Sequence, residues 1–72
     1  METTSIRLAI RNLPDHFDRT RIATVLDEIE LALLEEREIH CSTSADSFTI
    51  TIVVPTLQLL DVATCLKGIG LI

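Results

Sequence analysis

The sequence predicts one small α+β domain, in which two helices cover one face of an antiparallel sheet. Three observations predict this class. The 72 residues amount to less than one average domain. Two segments alternate apolar with polar residues, the period of half-buried strands, and two others repeat apolar residues at helical spacing. No linker or internal repeat divides the chain, so we assign residues 1–72 to a single domain.

The first strand is predicted at Ser5–Arg11, where apolar and other residues alternate strictly. One side of this strand would face the core with Ile6, Leu8 and Ile10. The opposite side would carry Arg7, Ala9 and Arg11.

The first helix is predicted to begin at Arg19 and to end near Leu33 or Leu34. The Asp18 carboxylate suits an N-cap because it can accept hydrogen bonds from the free amide groups of the first turn. A longer helix would rotate Glu36 into the apolar face, and this sets the predicted end. The apolar face consists of residues at helical spacing: Ile22, Val25, Leu26, Ile29 and Leu33.

The next two strands are predicted to form a hairpin. Glu38–Ser42 is a short second strand, and Thr43–Asp46 is a polar turn. The third strand is the clearest in the sequence because it is a β-branched run, which Pro55 ends. Its core-facing residues would be Phe48, Ile50, Ile52 and Val54.

The second helix is predicted at Leu57–Lys67. Thr56 would cap its start, and Gly68 would occupy the left-handed position that commonly follows a helix. Only residues 69–72 remain for a stub of a fourth strand. The core-facing residues of this helix would be Leu59, Val62, Ala63 and Leu66.

This order of elements matches the ferredoxin-like plan, here β-α-β-β-α with a very short or missing fourth strand. In that plan the fourth strand pairs beside the first. We therefore expect the first strand to be an almost bare sheet edge, and bare edges readily pair with other strands.

Net charge argues against nucleic-acid and membrane partners. The chain carries −5, whereas phosphate binding and anionic lipid surfaces both call for clustered Lys and Arg. No apolar run approaches the roughly 20 residues of a membrane-spanning helix. We therefore expect a soluble, cytoplasmic protein that binds neither nucleic acid nor membrane.

No group of residues predicts catalysis or a bound cofactor. His40 and Cys41 are adjacent on a predicted strand, so their side chains would point to opposite faces. Both glycines lie near the C-terminal end, which leaves no glycine-rich phosphate loop. Two cysteines are too few for a disulfide framework. We expect a protein that is not an enzyme and holds no metal or cofactor.

Candidate functional residues form an interface group and an acidic group. Three apolar residues interrupt the polar side of the second helix, and contiguous exposed apolar surface commonly marks an interface. With two residues of the exposed first strand, the predicted interface is Leu57, Leu60, Cys65, Arg7 and Ala9. The middle of the chain holds most of the negative charge, and its predicted acidic face is Asp27, Glu28, Glu30, Glu35 and Glu36.

The segment Leu8–Leu13 resembles the first-strand signature of RNA-recognition-motif domains, which stack bases on aromatic residues of the sheet surface. In this chain Ala9 stands where those domains carry an aromatic residue. Alternation turns Phe48 into the core and leaves Thr49 and Thr51 on the sheet surface. We therefore expect no platform for base stacking.

The chain resembles ACT domains more closely; these are small regulatory modules with the same order of elements. The resemblance implies dimerisation through side-by-side sheets or helices. Members that sense amino acids usually carry a glycine after the first strand, where this chain has Leu13–His16. The matching segments are Ile6–Ile10, the Pro14 loop, the first helix, Phe48–Val54 and Leu66–Gly70.

We therefore expect a non-enzymatic protein-interaction or regulatory module that forms a homodimer or binds a larger protein. Two alternatives stay open. One is an ACT-like domain that senses a small ligand such as an amino acid. The other is a small acidic inhibitor whose acidic face mimics a polyanion.

Overall fold

The computed structural model describes residues 2–71 and contains three strands and two α-helices. The strands form one antiparallel sheet in the order β1-β3-β2. The predicted α+β class is confirmed. The elements, in chain order, are β1 (Thr3–Ala9), α1 (Ile22–Arg37), β2 (Ser42–Ala45), β3 (Thr49–Pro55) and α2 (Leu59–Gly68).

The central strand β3 separates a core face from an open face. Ile50, Ile52 and Val54 are fully buried, whereas the residues between them are only half-buried. The ladder sets Ile6 opposite Ile52, so the even-numbered residues of β1 share the core face. The predicted facing of these strands is therefore correct from Ile50 onward.

Both helices pack against the even-numbered face of the sheet. Helix α1 contributes its buried Val25, Ile29 and Leu33, as its apolar spacing predicted, and α2 contributes Val62 and Leu66. Helix α1 contacts α2 and β2, while α2 contacts β3. Helix α1 therefore lies toward β2, and α2 lies toward β1.

Strand β1 ends earlier than predicted. It stops at Ala9, and Ile10–Asn12 forms a 3-10 turn. The Ile10 N–H still donates to the carbonyl of Phe48 at 2.9 Å. The Arg19 guanidinium donates to the carbonyls of Ile10 and Leu13, and these bonds hold the chain in its turn away from the sheet.

Helix α1 begins three residues later than predicted because Asp18 closes a turn of its own. The Asp18 carboxylate accepts the backbone N–H of Thr20 at 2.8 Å and the Thr20 hydroxyl at 2.5 Å. These contacts are those of an Asx turn rather than a helix cap. Arg21 occupies the N-cap without a side-chain capping bond.

Helix α1 also runs to Arg37, past the predicted end at Leu33 or Leu34. Its exit is unusual because Glu38 adopts a left-handed φ of 55°, a conformation that favours glycine. The fully buried Ile39 follows and donates its N–H to the Leu33 carbonyl at 3.1 Å. Burial of Ile39 holds the chain in this conformation.

The predicted hairpin is displaced along the sequence. Residues 38–41 form no strand, and most of the predicted turn belongs to β2. Asp46 shortens the turn because its carboxylate accepts the N–H groups of Phe48 and Thr49 at 2.8 and 2.7 Å. Phe48 lies within this turn and is 81% exposed, so its predicted place in the core is wrong.

The C-terminal segment differs from prediction at both ends of α2. Residues 56–58 form a 3-10 turn before the helix, and the Thr56 hydroxyl pairs with that of Thr4 at 2.8 Å rather than capping. Gly68 is the last helical residue, and Gly70 takes the left-handed conformation with φ of 85°.

Residues 69–71 form no fourth strand, and Ile72, the rest of the predicted stub, lies outside the described residues. Within residues 2–71 no helix is long and apolar enough to cross a membrane.

Truncating Ile50 should cost far more stability than truncating Phe48. We expect Ile50→Ala to lower the free energy of unfolding by about 2–5 kcal/mol, because it leaves a cavity among fully buried neighbours. Phe48→Ala should cost about 0.5 kcal/mol or less, since an exposed side chain loses little packing. Urea denaturation monitored by circular dichroism measures both values. Equal losses would place Phe48 in the core.

Candidate interaction site

Strand β1 presents a free edge, which we define as the backbone N–H and C=O groups of Thr3, Ser5, Arg7 and Ala9. The Thr56 N–H donates to the Glu2 carbonyl, and the Ile10 N–H donates to the Phe48 carbonyl. Even-numbered residues of β1 therefore direct their backbone groups toward β3, and odd-numbered ones direct theirs away. No strand of residues 2–71 pairs with this edge.

The predicted interface residues Arg7 and Ala9 lie on this strand. Their side chains are on the open face of the sheet, where Arg7 is exposed and Ala9 is half-buried. Arg7 lies opposite Thr51 and Ala9 lies opposite Thr49 in the ladder. The structure therefore places both residues at the free edge, and their role in an interface stays a prediction.

Leu57 and Leu60 form an exposed apolar surface, which we call the α2 surface. Leu57 is 100% exposed and Leu60 is 85% exposed. Leu60 lies in the first turn of α2, and Leu57 lies in the 3-10 turn that leads into it. Both side chains are too large and too exposed to contribute to the core.

Cys65 does not belong to this surface, so its predicted interface position is wrong. Its exposure is 3%, and its thiol donates to Glu36 Oε2 at 3.4 Å. The extension of α1 brings Glu36 beside α2 and covers Cys65. Burial, and next the Glu36 carboxylate, raise the pKa of the Cys65 thiol.

The second cysteine is also protected. Cys41 is half-buried in the loop before β2, so the predicted strand that would separate it from His40 does not exist. Burial, followed by the nearby Glu30 carboxylate, raises the pKa of the Cys41 thiol. Higher thiol pKa values leave less thiolate, the nucleophilic form.

A shallow groove of about 760 Å³ lies beside Leu57. It is located where β1 begins and β3 ends, and Leu57 of the α2 surface lines it. Its walls are mostly apolar. The lining residues are Glu2, His40, Pro55, Thr56, Leu57 and Gln58.

A second groove of about 470 Å³ lies at the opposite end of the sheet, below Phe48. Ile10 and Arg11 line it from the β1 side, and Ser47 and Thr49 line it from the hairpin. Sequence alternation missed Phe48 as a surface residue. The sequence could have indicated this, because an aspartate two residues before Phe48 favours a turn in which its carboxylate accepts the N–H of Phe48.

The exposed Phe48 is an aromatic surface residue, which the alternation of the third strand did not predict. The net charge of −5 still disfavours nucleic acid, and two of the four arginines before α1 form ion pairs with aspartates. Arg19 lies 3.8 Å from Asp15, and Arg21 lies 4.0 Å from Asp18.

The predicted acidic residues all lie on α1 but do not form one stripe. Glu36 is beside Cys65 of α2, whereas Glu30 is half-buried and close to Cys41 on the opposite flank. The others, Asp27, Glu28 and Glu35, are exposed between these flanks. Within residues 2–71, no three His, Cys, Asp or Glu side chains converge to hold a metal ion.

Comparisons with known proteins give no relative: no family model, no curated protein and no solved structure matches the chain. The candidate site is therefore defined by geometry alone.

The two thiols should react slowly in the native protein. We expect native Cys65 to react with iodoacetamide roughly tenfold more slowly, or slower still, than in urea, because its raised pKa and burial both suppress thiolate. The half-buried Cys41 of the native protein should react faster than native Cys65 but more slowly than the cysteines in urea. Mass spectrometry of timed samples gives the rates. Equal rates for Cys65 in buffer and in urea would show that its thiol is exposed on α2 and would contradict its burial.

The Asp46 turn should make stability depend on acid pH. Backbone N–H groups of Phe48 and Thr49 hold the pKa of Asp46 below its usual 3.8. A lowered native pKa stabilises the fold above the unfolded pKa, and this contribution disappears as pH falls through the native value. Asp46→Ala should therefore lower the melting temperature at pH 7, and its difference from wild type should shrink below about pH 4.

Melting temperatures between pH 7 and pH 2 measure this effect. Asp27→Ala is the matched control because it removes an exposed carboxylate from α1. A constant difference between Asp46→Ala and wild type across this range would contradict the role of the carboxylate charge.

Proposed function

We propose that this chain is a non-enzymatic protein-interaction module that binds through the α2 surface and the neighbouring β1 edge. The observation that carries the proposal is the full exposure of Leu57 with the 85% exposure of Leu60. Two large apolar side chains that are exposed to water at the start of α2 favour a complex in which a partner covers them. The partner would be a second copy or a larger protein.

The free edge supports the same function. A strand of seven residues with unpaired backbone groups can accept another strand, and the added hydrogen bonds give affinity while side chains give specificity. The groove beside Leu57 adds a concave apolar area next to the α2 surface.

We also propose that the fold is ferredoxin-like. The sheet order β1-β3-β2 and the chain order β-α-β-β-α support this proposal, as does the packing of both helices on one face. The resemblance to ACT domains and the cytoplasmic location stay predictions.

Replacing Leu60 with glutamate should weaken association strongly. If a partner buries this position, a charge placed there costs a few kcal/mol, which lowers affinity more than tenfold. Capture from a lysate of the source cells, followed by sizing of the retained complex, measures the loss. Leu31→Glu is the matched control because it makes the same change at an exposed leucine of α1.

Three results separate the candidate functions. Loss of association in Leu60→Glu but not in Leu31→Glu supports the proposal, and equal behaviour of the two variants contradicts it. A melting temperature that rises with a free amino acid would favour the sensing alternative. Salt-sensitive binding to a basic protein that Leu60→Glu leaves intact would favour polyanion mimicry by α1.

A further inference from the structure

We propose that β1 pairs with β1 of a second copy of this chain, antiparallel and about a two-fold axis at Ile6. The two three-stranded sheets then become one sheet with the order β2-β3-β1-β1-β3-β2. This inference rests on the proposed function, and it names the partner and the contact.

The backbone of the edge is complementary to itself. In an antiparallel pair only residues that direct their backbone groups at each other exchange hydrogen bonds. Thr3 then pairs with Ala9 of the partner subunit, and Ser5 pairs with the partner's Arg7. Every free group of the edge acquires a bond, about eight in all. A shift of the partner by two residues leaves some of these groups unpaired, and one of the two shifts sets Arg7 against the partner's Arg7.

The same register covers apolar side chains that the single copy leaves partly wet. Ile6 and Leu8 are half-buried on the core face at the edge of the sheet. Two-fold pairing sets Ile6 opposite the partner's Ile6, a position without exchanged hydrogen bonds where side chains approach most closely. The two cores become continuous beneath the joined strands.

Helix α2 faces the same boundary. Cys65 is directed at α1 through its bond to Glu36. At about 100° per residue, Leu59, Leu60 and Ala63 lie roughly 120–160° around the helix from Cys65. They therefore face away from α1, toward the β1 side of the molecule. The edge and Leu60 belong to one continuous contact, in which α2 lies beside the partner's α2.

Charge favours this arrangement over others between two copies. Each copy carries −5, so two copies repel wherever their acidic surfaces meet. The acidic helix α1 lies on the β2 side of the sheet, and joining the β1 edges keeps the two α1 helices far apart. Arg7 is the single charged residue within Thr3–Ala9.

The other edge of the sheet is a poorer template. Strand β2 has four residues, and its ladder leaves only Thr43 and Ala45 with backbone groups directed outward. A short, polar edge strand offers few bonds to a neighbour.

Charge changes at Ser5 test the register. Ser5→Lys sets like charges opposite each other at two symmetric positions and should weaken the dimer roughly 2- to 30-fold. Ser5→Glu sets an anion opposite each Arg7 and should tighten it by a similar factor. Sedimentation equilibrium from about 1 to 100 μM gives the dimer Kd. Ser44→Lys is the matched control, because Ser44 is an exposed serine on β2.

Ala9→Pro gives a second, backbone test. Ala9 has φ of −74°, close to that of proline, and its N–H does not bond to β3. The variant should keep the melting temperature of the dilute monomer and weaken the dimer.

A wild-type monomer at about 100 μM would overturn this pairing, while the proposed function would still be judged by capture with Leu60→Glu. A dimer whose Kd ignores both Ser5 substitutions would also overturn the pairing and would leave self-association through the α2 surface alone.

Discussion

The ladder between β1 and β3 decides which surfaces of this molecule are buried and which are open. The ladder sets even-numbered residues against even-numbered residues, so Ile6 and Ile52 share the core while Arg7 and Thr51 share the open face. The backbone N–H and C=O groups of the even-numbered β1 residues are hydrogen-bonded to β3 in this ladder. The free edge is therefore a direct consequence of the pairing that builds the core, and a slip by one residue would exchange both.

Side-chain carboxylates set several element boundaries. Asp18 and Asp46 each accept a backbone N–H two residues ahead, at 2.8 Å in both cases. The first delays the start of α1, and the second tightens the hairpin and turns Phe48 outward. Because these bonds compete with helix and strand formation, they shift boundaries without changing the order of elements.

Periodicity was sufficient for much of the fold, since apolar spacing identified Val25, Ile29 and Leu33 in α1 and the alternation of β3 from Ile50. Both signals arise from burial of one face, so they are strong where burial is complete. The failures have local causes. Helix α1 ends at Glu38 in a left-handed conformation, although the sequence has no glycine there to indicate it. The chain then places Ile39 in the core outside any strand.

The candidate site was predictable in part for the same reason. Leu57 and Leu60 could be predicted from the spacing within one segment, because both are apolar residues at polar positions of the predicted helix. Cys65 shared that signal, but its environment depends on how far α1 extends, and Glu36 covers it only in the longer helix. A prediction from one helix cannot include the neighbour that buries it.

The charge distribution and the sheet order together determine where the molecule can meet another. Helix α1 carries five of the eleven carboxylates against one arginine and contacts β2, whereas the apolar Leu60 lies on α2, on the β1 side. The strongest repulsion and the two most exposed apolar side chains, Leu57 and Leu60, thus lie on opposite flanks of one sheet. Since apolar burial stabilises a contact and unpaired like charges oppose it, the β1 flank is where association costs least and is stabilised most.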